Sequence, residues 1–451
     1  MFNNLKIKRI FSSVNLKTVG GTTLFQVLIF ASGLIINKLI AIFSGPAGIA
    51  VFGVVKNFYI FFASILKLGS DAVILVQAAS SQGDDRAELK LALGIVRLIF
   101  LQSVFLGLSI IFLDNIIYET IFLNILPQQF QPLIKILLCM IFLTAISETL
   151  ISFNNGRSKI KNTIFASLVG TLTTLLLVAV TKPESLALVA IFALLSGSVS
   201  AFILLLIFAK DFFPQVFKNF KASTFAELPV SSYMLAQPLL TAGTFLIIQN
   251  QLTLHYGVEK LSFFILSYTL IGTFLALLMS SLRMYFIPHL GSLKNLDQRD
   301  LFFNDHLLLF LPISSLLSAL IVFASKPIVL LLYSPEFIEA ASYLALLALV
   351  IVPRSLAWII AITALEEQRF RLYVAAEMIR EFLYLAFVFY LIWIDADFKT
   401  IFIGYILAEL ISSLFWIFYR LFFSNNLKPK KIIILFSYAF PALLALFLFN
   451  S

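Results

Sequence analysis

The side chains best placed to do chemistry in this 451-residue chain are ionised groups inside apolar runs. Lys38, Lys56, Lys67, Arg97, Lys135, Arg354 and Arg380 interrupt long stretches of Leu, Ile, Val, Phe and Ala, as do Asp71, Glu148, Glu377, Glu381 and Glu409. A charge at the centre of a bilayer costs roughly 2.5–3.5 kcal/mol on insertion scales, so such residues turn inward and either pair or serve a function. Lys56 falls several residues into the second apolar run and Arg97 well inside the third. Arg354 and Arg380 lie near the middle of two later runs, and Lys38 in the outer half of the first. Lys67 and Lys135 are close enough to a run's end to snorkel to the interface. Glu377 and Arg380, three residues apart, share a helix face; either they neutralise each other and only stabilise the fold, or they work as a unit. Lys38, Lys56 and Arg354 have no acid nearby in sequence. A cavity lined by unpaired cations suits an anion such as a diphosphate, which Lys and Arg bind through charge-assisted hydrogen bonds. Lys38, Lys56, Arg97, Arg354 and Arg380 are therefore the substrate-binding candidates. Asp71, Glu377 and Glu381 are the candidates for responding to protons or an ion gradient.

Other chemistries find little support. His255, His289 and His306 are scattered near the ends of apolar runs, as interfacial residues are. The single cysteine, Cys139, can form no internal disulfide and no Cys-rich metal site. There is no P-loop, no HExxH and no GxSxG. The longest outer loop, about 114–131, carries Asp114 and Glu119 but no His, Lys or Arg. A membrane polymerase or ligase needs a larger outer loop to hold its catalytic groups. The expectation is a transport protein, not an enzyme, with no cofactor.

The elements that position these charges follow from hydropathy. The chain is 61% hydrophobic and only 12% charged, with a mean hydropathy of +1.02; soluble domains carry about 25% charged residues. About 20 apolar residues make one transmembrane helix. Spans are predicted near 19–44, 48–70, 89–113, 132–153, 160–180, 185–209, 228–254, 260–283, 301–324, 337–363, 371–394 and 398–422, with a thirteenth stretch at 431–449. The runs are too long, and lack the period-two alternation, for outer-membrane strands. The first is too long for a signal peptide's apolar region and is taken as retained. With the N-terminus in the cytoplasm, the outer loops hold only Lys182, Lys260, Lys326 and Lys399. The resulting asymmetry of roughly five to one between inner and outer loops supports a multi-pass protein of the bacterial inner membrane with its N-terminus inside. The net charge of +9 is thus a topology signal and not a nucleic-acid footprint.

The chain also reads as a duplication. Gly45 and Gly257, Arg157 and Arg369, and Lys159 and Arg371 are each about 212 residues apart, and Arg86 and Arg299 nearly so. Six spans per half return the chain to the same side, which makes the repeats parallel. The expected organisation is an N-terminal six-helix lobe over 1–213, a cytoplasmic connector over 214–227 and a C-terminal six-helix lobe over 228–423. A basic loop and an extra helix occupy 424–451. The fold class is thus an all-α polytopic membrane protein of two parallel lobes around a central cavity. Pro238, Pro312 and Pro353 fall within spans and can kink them.

The segment Ile36 to Ala50, Ile-Asn-Lys-Leu-Ile-Ala-Ile-Phe-Ser-Gly-Pro-Ala-Gly-Ile-Ala, resembles the first-to-second helix turn of Wzx-type flippases. These belong to the multidrug/oligosaccharidyl-lipid/polysaccharide (MOP) exporter superfamily, and the likeness is greatest to its O-antigen translocase and enterobacterial-common-antigen branch. Ile287 to Leu293 and Arg371 to Glu377 are similar to the segment after the eighth helix and the start of the eleventh. The layout matches over about 19–422. The resemblance implies a V-shaped pair of lobes working by alternating access. It implies an undecaprenyl-diphosphate-linked oligosaccharide, such as a lipopolysaccharide repeat unit, moved from the inner to the outer leaflet. It also implies a cationic cavity, with Lys38 at a matching position and Lys56 close to one. Polysaccharide polymerase and chain-length proteins are implied partners. The thirteenth stretch departs from the twelve-helix pattern. The alternatives are a cation-coupled drug exporter, which should carry more unpaired acids than cations within the membrane, and a membrane glycosyl polymerase or ligase.

Overall fold

The computed structural model describes residues 16–122, 124–219, 232–292, 296–366 and 369–423, and these are all-helical. The helices are α1 (Leu16–Lys67), α2 (Ser70–Ser80), α3 (Asp85–Phe112), α4 (Asp114–Ile117), α5 (Leu133–Gly156), α6 (Ile160–Thr181), α7 (Leu186–Asn219), α8 (Ser232–Ser292), α9 (Leu296–Leu332), α10 (Ala340–Ala348), α11 (Ile351–Glu366), α12 (Phe370–Trp393) and α13 (Phe398–Phe423). Eight of the apolar helices are long enough to cross a membrane, and the chain is a multi-pass membrane protein.

Two of those eight, α1 and α8, are hairpins of two spans. Each reverses at a glycine whose backbone only glycine adopts without strain: Gly45 at φ 58°, ψ −155° and Gly257 at φ 83°, ψ 170°. Pro46 follows the first reversal at a position where its missing N–H costs nothing. Past the turn, Ile40 Cγ2 comes within 3.4 Å of where a Cβ on Gly48 would sit, whereas residues eight apart in a straight helix are about 12 Å apart. Across the second turn the rings of Phe245 and Tyr268 are 4.1 Å apart. Nothing lies within 4 Å of a Cβ added at Gly257, so a substitution there meets backbone strain alone. Gly257→Ala should therefore lower stability by about 1–3 kcal/mol, read as a fall in thermal midpoint of the detergent-purified protein; an unchanged midpoint would contradict the reversal.

One expected span differs. The run 337–363 is a bent pair, α10 and α11, meeting at 41°. Pro353 has no N–H for the carbonyl of Leu349, and its ring crowds that carbonyl, so the helix breaks at Leu349–Val350. Neighbouring helices satisfy the polar groups around the break: Ser318 Oγ donates to Ala348 O (2.6 Å) and Ser413 Oγ to Pro353 O (2.8 Å). Helices α7, α8 and α9 run beyond their expected ends, because hydropathy marks the lipid-facing length and a helix continues past it. Helix α7 continues to Asn219, so the first residues of the expected connector are helical. The rest of that connector and the thirteenth stretch lie outside the described residues.

The halves meet mainly through the hairpins α1 and α8. One apolar core, from Ile36 through Phe122 and Phe263 to Phe402, runs across both halves. Two further cores belong to one half each, around Ile74, Phe153 and Phe208 in the first and Phe303, Ile360 and Trp416 in the second. The halves thus share one core near Gly45 and Gly257, and each has a core of its own toward the opposite end, where Arg157 and Arg369 lie. Within the first half, small residues bring helices close: a Cβ on Gly170 would lie 2.3 Å from Ser196 O, and one on Gly197 2.2 Å from Thr144 Cγ2.

Candidate functional site

The cavity between the halves lies on the axis that relates them. It has a volume of about 190 Å3. Asn37, Phe52, Lys56 and Asn57 line it from α1, and Gln249, Phe264, Tyr268 and Thr269 from α8. Each residue of the first set is 212 positions from its counterpart in the second. Gly53 and Ile265, another such pair, touch: a Cβ on Gly53 would lie 2.3 Å from Ile265 Cγ2. Duplication thus places equivalent positions opposite one another, and their types have diverged.

Lys56 is the one sequence-predicted substrate residue that lines this cavity. Its side chain is accessible, and its ammonium sits 4.2 Å from the centre of the Phe52 ring, an attractive contact for a cation. Among the described residues no carboxylate lies within ion-pair distance of it. Lys56 also borders a second cavity of about 340 Å3 within the first half, between α1, α5, α6 and α7.

The second cavity holds an acid, Glu148, that sequence alone did not single out as a site residue. Glu148 lines it and accepts hydrogen bonds from Tyr59 Oη and Lys67 Nζ. Lys67 also binds Asp71 at 2.6 Å. Lys67 was expected to snorkel to the interface; instead it is shared between two carboxylates, with a side chain only 14% exposed. The available signal was Glu148 itself, an acid in an apolar run. Lys135 does lie exposed, 3.4 Å from Asp114.

The remaining predicted residues sit elsewhere. Arg354 and Arg380 come together with Glu377, Glu381 and Glu409 in a buried cluster from α11, α12 and α13. Arg380 Nη1 is 3.0 Å from Glu377 and 3.5 Å from Glu409, and its Nη2 donates to Glu381. Arg354, with no acid nearby in sequence, is 3.3 Å from Glu377 and 3.5 Å from Glu409. Thr241 Oγ1 of α8 donates to Glu381 (2.9 Å). Three carboxylates thus face two guanidinium groups. Lys38 borders neither cavity; its ammonium donates to Leu331 O in the last turn of α9 (2.6 Å), where the helix dipole favours a cation. Arg97 is buried in α3 and also borders neither. Among the described residues no group of three His, Cys, Asp or Glu is placed to hold a metal ion.

At the joined end, polar contacts tie the hairpin tips to their surroundings. Lys38 bridges the halves, as does Asn124, whose Nδ2 is 3.3 Å from Asn250 Oδ1. Glu339 accepts from Lys260 and from Tyr343 Oη. Burial would raise the Glu339 carboxyl, and these two donors outweigh it, so it titrates below the ordinary carboxylate range. A carboxylate depressed in the folded state stabilises above its unfolded value, near 4.3, and that contribution fades as pH falls through the folded value. With both side chains a third or more exposed, the pair is worth about 0–1 kcal/mol. Wild type should unfold slightly later than Glu339→Gln at pH 7, and the gap should close below about pH 4; a gap that widens on acidification would reverse the assignment.

No protein-family model matches the sequence, and no curated protein sequence matches it. Solved structures do. An inward-facing multidrug resistance MATE family transporter of the MOP superfamily superposes with a TM-score of 0.70, at 13% identity, over 88% of this chain and 94% of that one. An outward-facing form of such a transporter gives 0.61, at 14% identity, over 90% and 93%. A MOP superfamily transporter from Pyrococcus furiosus, described as having a binding pocket of reverse polarity, also gives 0.61, at 13% identity, over 88% and 91%. The chain has the fold of the MOP-superfamily transporters.

Proposed function

We propose that this protein is a flippase. It moves a lipid-linked oligosaccharide, joined to its isoprenoid through a diphosphate, from the cytoplasmic to the periplasmic leaflet of the inner membrane by alternating access. The observation that carries this reading is Lys56, an accessible ammonium with no carboxylate partner among the described residues, in a cavity on the axis between two lobes. An ammonium held there without a counter-ion attracts an anionic group. The acids balance the cycle: the C-terminal cluster has one carboxylate more than it has guanidinium groups, and Asp71 and Glu148 share one ammonium. Either excess suits a proton or a cation that drives the return step.

The same excess of acid favours a second reading, a cation-coupled exporter of cationic drugs, which the fold accommodates equally. The two separate in cells. In a bacterial strain lacking its own flippase, the wild-type protein should restore surface polysaccharide. Lys56→Ala should cut that restoration roughly tenfold to a hundredfold, the worth of one charge-assisted contact, while Lys56→Arg retains it. Full rescue by Lys56→Ala at normal expression would sink the role given to Lys56, and no rescue by the wild type would sink the flippase reading. Raised drug tolerance in an efflux-deficient strain, with no effect on polysaccharide, would establish the exporter instead.

A further inference from the structure

The cavity inside the N-terminal half has a wall unlike that of an apolar pocket. Thr144, Ser147, Ser167, Thr171, Ser196 and Ser200 line it from three helices, beside the Glu148 carboxylate. Three of these six hydroxyls give their hydrogens to their own helices. Thr144 donates to Met140 O (2.8 Å), Thr171 to Ser167 O (2.8 Å) and Ser200 to Ser196 O (2.8 Å). A hydroxyl that has given its hydrogen to a backbone carbonyl keeps two lone pairs, so it meets a ligand as an acceptor. Glu148 is an acceptor as well, and its side chain remains 38% exposed. Ser147 Oγ, on a residue only 1% exposed, has no hydrogen-bond partner. A buried hydroxyl is seldom left so unless something else binds it.

An acceptor-rich wall suits a ligand that donates many hydrogen bonds, and because Glu148 is already bound to Lys67 that ligand need carry no charge, which is the chemistry of a sugar. The volume, about 340 Å3, is at the small end of ligand pockets, about 300–1,000 Å3, and suits one or two rings rather than a long glycan. Lys56 borders both cavities and so stands where an anion joined to that sugar would lie. We infer that the cavity within the N-terminal half is a sugar subsite, taking the ring next to the diphosphate while Lys56 holds the diphosphate itself. This rests on the flippase reading for the identity of the anion. It adds which part of the molecule recognises the sugar, and it implies that selectivity for the first ring resides in α5, α6 and α7.

The experiment uses the full-length protein in lipid nanodiscs and two probes: farnesyl diphosphate, and the same lipid diphosphate carrying one N-acetylglucosamine. Wild type should bind the sugar-bearing probe more tightly. The double variant Ser147→Ala, Thr171→Val keeps the wall's volume and removes two acceptors. It should weaken the sugar-bearing probe roughly tenfold or more, because sites built on hydrogen bonds discriminate strongly, and leave farnesyl diphosphate within about twofold. Retained binding of the bare diphosphate also reports that the variant is folded. Lys56→Gln should weaken both probes alike. Equal affinity of wild type for the two probes, or a double variant that changes both to the same degree, overturns the subsite. Unchanged binding of both probes to Lys56→Gln overturns the reading beneath it.

Discussion

Arg380→Leu is expected to destabilise the protein by about 3–5 kcal/mol, the cost of leaving buried charge uncompensated. Arg380 contacts Glu377, Glu381 and Glu409, and Arg354 reaches only the first and last of these. Without Arg380, three buried carboxylates face one guanidinium, and Glu381 keeps only the hydroxyl of Thr241. Removing charge of the other sign should compensate: Arg380→Leu with Glu381→Leu should recover much of the loss, since replacing a whole buried pair by apolar groups is often neutral. Thermal unfolding of the two variants beside wild type measures this. A single variant as stable as wild type, or a double variant less stable than the single, would mean the cluster does not hold α11, α12 and α13 together.

A covalent bridge between Asn124 and Asn250 is expected to stop transport. These side chains meet across the two halves at the joined end, and alternating access requires that end to open. The one native cysteine, Cys139, is exposed and would first be replaced by Ala. Asn124→Cys and Asn250→Cys, joined by a short reducible bifunctional thiol reagent, should bring transport to background, and reduction should restore it. Normal transport by the bridged protein would show that the halves do not part here. The same geometry gives Lys38 a different place from the cavity cation that the resemblance implied. Its bond to Leu331 O ties α1 to the end of α9 and must break when the halves separate.

Much of this fold is legible in the sequence, for identifiable reasons. A span announces itself by length and hydropathy, and Gly45 and Gly257 by a backbone that other residues resist. The duplication is legible because the glycines and basic loops recur at one spacing. The bend before Pro353 is legible only as a proline; its position one turn earlier follows from the carbonyl that the ring excludes. The site is less legible because pairing within a bundle depends on how each helix is rotated about its own axis. Arg354 finds Glu377 and Glu409 on two other helices, and Lys67 finds Glu148 on α5. No local spacing encodes those meetings. Lys56 was legible as an intramembrane cation, but its place on the axis depends on the packing of α1 against α8.

That placement bears on why the chain is one polypeptide rather than a pair of identical subunits. A homodimer with a two-fold axis through its cavity must present every axial side chain twice. A lysine at such a position would face its own copy, two ammonium groups repelling each other in a poorly screened interior. Fusing the two copies into one gene frees each from matching the other. Lys56 now faces Tyr268, and Asn57 faces Thr269. A single positive charge close to the axis is an arrangement open only to a protein whose symmetry has been broken.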